Sequence, residues 1–80
     1  MLQAPLQGQH VFEVSIYNGE VRSLVKQNQS HLFFDDQWAD KHVHDVVALD
    51  ENHARLLIAE RYPPDDGFII EDVIESALQS

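Results

Sequence analysis

The chain of 80 residues contains no cysteine, only 3 glycines and 3 prolines, and 5 Lys and Arg against 14 Asp and Glu. Each shortage excludes something. Without cysteine there is no disulfide framework, no thiolate nucleophile and no zinc–thiolate centre. Neither G-x-G-x-x-G nor G-x-x-x-x-G-K occurs, so no glycine loop is present to cradle a phosphate. G-x-S-x-G and H-E-x-x-H are missing as well, and Ser15, Ser23, Ser30, Ser76 and Ser80 stand in no arrangement that suggests a nucleophile. These gaps favour a protein that is not an enzyme and that carries no cofactor.

Cations are the next scarcity. The formal net charge is −9, and Arg22, Lys26, Lys41, Arg55 and Arg61 are scattered among the acids. Nucleic-acid binding needs clustered cations to displace the counterions condensed on phosphates, so nucleic acid is a poor partner. Anionic membranes are disfavoured for the same reason. Acidity of this kind mostly serves solubility. Mimicry of nucleic acid on a basic protein surface is the one activity that charge alone permits.

Long apolar runs are absent too. The longest stretches, such as 46–49 and 56–59, are far short of a bilayer span. Residues 1–9, rich in Gln, have neither a cationic n-region nor an apolar h-region, so they read as a leader and not as a secretion signal. The expectation is a cytoplasmic protein.

What remains is one domain over residues 10–80. A chain of this length buries only roughly 60–65% of the surface its unfolded form exposes, so its core is modest. Self-association as a homodimer, or docking on a protein partner, is the cheapest remaining source of stability.

The strongest element is a helix over 50–62. Asp50 is a good N-cap, Glu51 suits the positive end of the helix, and Glu51 and Arg55 pair at i, i+4. Ala54, Leu57, Ile58 and Tyr62 form its apolar stripe, and Pro63 stops it. Tyr62, Pro63, Pro64, Asp65, Asp66 and Gly67 then make a turn. Residues 10–17 alternate as a half-buried strand, with Phe12, Val14 and Ile16 on one face and Glu13 and Ser15 on the other. Asn18-Gly19 is a hairpin signal. Against it, Val21, Leu24 and Val25 recur at helical spacing, so a short helix over 20–28 is expected, capped by Asn18 or its neighbour. Residues 42–49 alternate as a strand, with His42, His44, Val46 and Ala48 on one face and Val43, Asp45, Val47 and Leu49 on the other. A strand over 67–73 follows, with Phe68 and Ile70 on one face. Ile70, Val73, Ile74, Ala77 and Leu78 also fit a helical stripe, so the tail is allowed a helical turn.

The fold class expected is α+β, a small β-α-(β)-β-α-β sheet with helices on one face. The ferredoxin-like plait is the nearest analogy, with one strand missing or hidden within 30–36. Residues 29–41 are the least regular, and a long structureless stretch in a compact domain invites a functional reading. One helical turn around 35–41, capped by Asp35, is expected there.

Two candidate sites fall in that neighbourhood. Phe33, Phe34 and Trp38 either close the small core or form a contact surface, since aromatics are the usual anchors of interfaces. The second candidate is His31, Asp35, Asp36, Asp40, His42, His44 and Asp45. His42 and His44 project from the same strand face roughly 7 Å apart. Imidazoles with a carboxylate from Asp35, Asp36 or Asp40 suit a divalent transition metal. The plainer alternative puts both histidines on a solvated strand face. Glu71, Asp72 and Glu75 read as another solvated acidic face. The functional expectation is a non-enzymatic protein-interaction or regulatory module, with a metal-binding protein using the His/Asp cluster as the alternative.

Overall fold

A computed structural model describes residues 8–76. The leader expected over 1–9 therefore lies outside the described residues except for Gly8 and Gln9, and the tail 77–80 lies outside them entirely. The elements run β1 (His10–Asn18), α1 (Gly19–Lys26), β2 (His42–Ala48), α2 (Glu51–Arg61) and β3 (Phe68–Glu75). Two 3-10 turns, Asp36–Ala39 and Pro64–Asp66, punctuate the connections. The three strands form one antiparallel sheet in the order β2-β1-β3. This is a small α+β domain. Among the described residues, no helix is long and apolar enough to cross a membrane.

β1 is the central strand: β2 and β3 both pair with it, and it is the most buried of the three. Phe12, Val14 and Ile16 are all buried, and they meet Ala48, Ala54 and Ile58 in the core. Burying a branched or aromatic side chain of this size stabilises the fold by about 1.5–3 kcal/mol each. α2 lies over that face. Its N-cap Asp50 accepts from the His53 amide at 2.8 Å, and Ala54, Leu57, Ile58 and Tyr62 all face the core as their spacing demands. The opposite sheet face is open in part, since Val43, Ile69 and Ile74 stand exposed there.

Asn18 decides between hairpin and helix. It ends β1 in an extended conformation, and its Oδ1 accepts from the Val21 amide at 3.0 Å, which caps α1. Its Nδ2 donates to the Asp66 carbonyl at 3.0 Å. The side chain is 0% exposed, so both ends of the amide are satisfied inside the protein. The Gly19 amide adds a 2.8 Å bond to the Gly67 carbonyl. One residue thus ties the start of α1 to the turn before β3. Gly67 is required here, because its φ is +96° and a Cβ would fall 2.8 Å from Asn18 Oδ1.

α1 ends in a Schellman motif. The Gln29 amide bonds the Leu24 carbonyl and the Asn28 amide bonds that of Val25, while Asn28 takes a left-handed φ of 58°. Arg22 then anchors the next segment. Its Nε donates to the Ala39 carbonyl at 2.8 Å, and its guanidinium lies 3.6 Å from the centre of the Tyr17 ring.

Of the two options for the further strand of the plait, missing or hidden within 30–36, the first holds among the described residues: 32–34 make bends, Asp36 opens the 3-10 turn, and the sheet has three strands. One expectation needs correction: β3 continues through Glu75, where a strand over 67–73 and then a helical turn were allowed. The reason is a β-bulge. Ile70 pairs with Ile16 and Asp72 pairs with Ser15, which leaves Glu71 as the extra residue. The bulge puts Ile70 and Val73 on the same core face at a spacing of three. That spacing imitates a helix in the sequence. Pairing with β1, closed by the Ser76 amide on the Val11 carbonyl, holds the segment as a strand.

Replacing Asn18 with Ala should cost about 2–4 kcal/mol in urea unfolding, because a cap is lost and buried backbone groups are left unpaired. Asn28→Val should cost about 1–2 kcal/mol from backbone strain alone. A loss below about 0.5 kcal/mol for Asn18→Ala would contradict its role as a clamp.

Candidate functional site

The segment between α1 and β2 separates its aromatic residues. Trp38 sits in the 3-10 turn, where its amide bonds the Asp35 carbonyl at 3.0 Å. Asp35 occupies the N-cap position of that turn, but its side chain makes no capping bond. The Trp38 ring lies 4.4 Å from His42, 5.4 Å from Tyr62 and 5.2 Å from Phe68, centroid to centroid. Phe34 meets Phe68 edge-on at 5.1 Å. Edge-on and tilted contacts of this kind add about 0.5–1.5 kcal/mol per pair beyond burial. Trp38 thus packs against the core, and Phe34 lies half-buried on Phe68 beside it. Phe33 does neither: it is 83% exposed, and Leu32 beside it is 91% exposed.

That exposure is built by His31. Its Nδ1 accepts from the Phe33 amide at 3.0 Å and, more weakly, from the Phe34 amide at 3.4 Å. An Nδ1 that accepts carries no proton, so Nε2 holds it and donates to Glu20 Oε1 at 3.1 Å. The ring also lies against Phe34, 5.1 Å between centroids. The imidazole therefore cross-links the loop to α1 and curls the backbone so that Leu32 and Phe33 point outward. Beside them opens a cup of about 700 Å³, lined chiefly by Leu24, His31, Leu32, Phe33 and Phe34, with Glu20 and Asp66 as its charged members. No Lys or Arg lines it among the described residues.

The histidine pair has a different surrounding from the solvated face considered for it. His42 pairs with Ile16 and His44 with Val14, which puts both on the face that α2 covers. The His42 ring stacks on Trp38, and its Nε2 donates to the Gln37 carbonyl at 3.0 Å. The His44 ring packs on Tyr62 at 5.1 Å, with Nε2 buried and unpaired among the described residues. The two rings are thus drawn to separate aromatic neighbours. Asp35, Asp36 and Asp40 are exposed on or beside the 3-10 turn. Among the described residues no three His, Asp or Glu side chains gather in a group able to hold a metal.

Sequence reasoning placed Leu24 on the stripe of α1 and Asp66 in the turn before β3, and it named neither of them, nor Leu32 or Glu20, as a site residue. The one available signal was Leu32-Phe33-Phe34 in an otherwise polar stretch, more apolar area than a single buried turn can absorb. His31 was visible only as a possible ligand, and its bracing role depends on a loop conformation that no periodicity encodes. No protein-family model, curated protein or solved structure matches the chain.

Burial holds the pKa of His44 below its ordinary 6.5, helped by the charges of His42 and Arg61 and opposed by Asp45. The native state therefore favours the neutral ring, while the unfolded chain takes up a proton near 6.5. This contribution to stability is complete above pH 6.5 and is lost as the pH falls through 6.5 and past the lowered native value. Melting curves between about pH 8 and pH 5 should show the wild type losing stability relative to His44→Phe as the pH drops. A gap between the two proteins that stays constant with pH would contradict this assignment.

Proposed function

We propose that the protein is a non-enzymatic interaction module whose contact surface is the cup around Leu32 and Phe33. The observation that carries this reading is the His31 brace. A bulky apolar residue left in solvent costs the protein the burial it most lacks in a core this small. Here two adjacent ones are held outward by hydrogen bonds that fix their backbone. Fixing a loop before it binds removes part of the ordering cost of association. Aromatic anchors beside a concave apolar surface are also the usual centres of protein contacts. A second copy of the chain or another protein would both meet these requirements.

The absence of nucleophile and nucleotide motifs supports a binding role, and the reading rests on the site and not on fold analogy. On architecture, the ferredoxin-like plait remains the nearest comparison. The antiparallel order β2-β1-β3 supports it, and the lack of a fourth strand among the described residues separates the two.

Phe33→Ser and Leu32→Ser should leave the melting temperature within a few degrees of wild type and abolish partner binding. Trp38→Ser should instead lower stability by about 2–4 kcal/mol, because it empties part of the aromatic cluster. Binding can be read by capture on immobilised protein, with Leu56→Ser on the exposed side of α2 as control. Equal capture by wild type, Phe33→Ser and Leu32→Ser would overturn the assignment of the surface.

A further inference from the structure

We infer that the occupant of the cup is a cationic segment of a different protein, carrying one bulky apolar side chain flanked by Lys or Arg. This rests on the reading of the cup as a protein-contact surface and adds what that surface selects. Much of the lining is apolar, supplied by Leu24, Leu32, Phe33 and Phe34, and the space of about 700 Å³ accepts a large side chain. The charged members of the lining are acidic. Glu20 uses Oε1 for His31, and a carboxylate offers about four acceptor positions over its two oxygens. Asp66 stands on the facing turn, its carbonyl held by Asn18, so its position is fixed by the clamp between α1 and β3. Asp35 and Asp36 follow Phe34 directly in the chain and are exposed.

The same charge argues against a second copy in this position. Each protomer brings a formal −9, and a self-complementary contact would place Glu20 and Asp66 against the same acidic lining. Like charges brought together at an interface weaken binding and suppress that partner, whereas opposite potentials speed encounter and set specificity. An anionic membrane is rejected on the same ground.

Fluorescence anisotropy of labelled short peptides tests this with the full chain. One peptide has a Leu-Phe centre with lysine flanks, a second has the same centre with glutamate flanks, and a third has lysine flanks around Gly-Ser. The first should saturate, with Kd rising at least about tenfold in Phe33→Ser, about two- to fivefold in Asp66→Asn, and further with added salt. Equal binding of the Gly-Ser peptide would show unspecific charge attraction and overturn the proposal. Equal, Phe33-dependent binding of the glutamate-flanked peptide would overturn the cationic partner while leaving the contact surface standing. If no peptide binds but the chain dimerises in sedimentation and Phe33→Ser abolishes the dimer, the occupant is a second copy and this proposal falls alone. If no peptide binds and sedimentation is the same for wild type and Phe33→Ser, both readings fall. Phe33-dependent capture by phosphatidylcholine vesicles in place of peptides would also overturn both, making Leu32 and Phe33 a lipid-inserting tip.

Discussion

The buried amide of Asn18 is the constraint on which the rest of the structure depends. It ends the central strand, caps the first helix and holds the carbonyl of Asp66 just before the third strand begins. With each of its polar ends hydrogen-bonded, the amide avoids most of the penalty of burial, and losing either partner would leave an orphan inside the core. The direction of α1 follows from that cap. Through α1 come the two contacts that shape the following segment: Arg22 on the Ala39 carbonyl and Glu20 on His31. A 3-10 turn and an irregular loop of this length have little regular hydrogen bonding of their own. Their conformation is imposed by the helix they return to.

The aromatic residues show how a small core economises. Trp38, Tyr62, Phe68 and Phe34 meet in one cluster that closes the end of the sheet, with His42 and His44 stacked onto it. Both histidines thus take part in the aromatic packing. His42 finds a backbone carbonyl, and burial lowers the pKa of His44. Against this background the outward Leu32 and Phe33 are the exception, and hydrogen bonds to His31 fix the backbone that carries Phe33.

Much of the fold was legible in the sequence where period and punctuation agreed. Asp50, the stripe from Ala54 to Tyr62 and Pro63 delimit α2 almost to the residue, and alternation places β1 and β2. The Asn18-Gly19 pair was ambiguous because it suits both a hairpin and a cap, and the apolar spacing of Val21 and Leu24 tipped it to the helix. β3 misled for a definite reason: the extra residue Glu71 turns a period of two into an apparent three. The further strand, missing or hidden within 30–36, is missing among the described residues, where the Phe33 and Phe34 amides turn onto a histidine ring instead of a neighbouring strand. The candidate site was legible only as a neighbourhood. Residue types located the aromatic segment, but which ring enters the core and which stays outside is decided by tertiary contacts.

The central claim is that the Leu32–Phe33 surface is presented rigidly by His31. Amide hydrogen exchange at Phe33 in the free protein tests this most directly. Protection well above that of a random coil, lost in His31→Ala while the amides of α2 keep theirs, is the predicted result. Exchange of the Phe33 amide at the unprotected rate in the wild type would contradict the account.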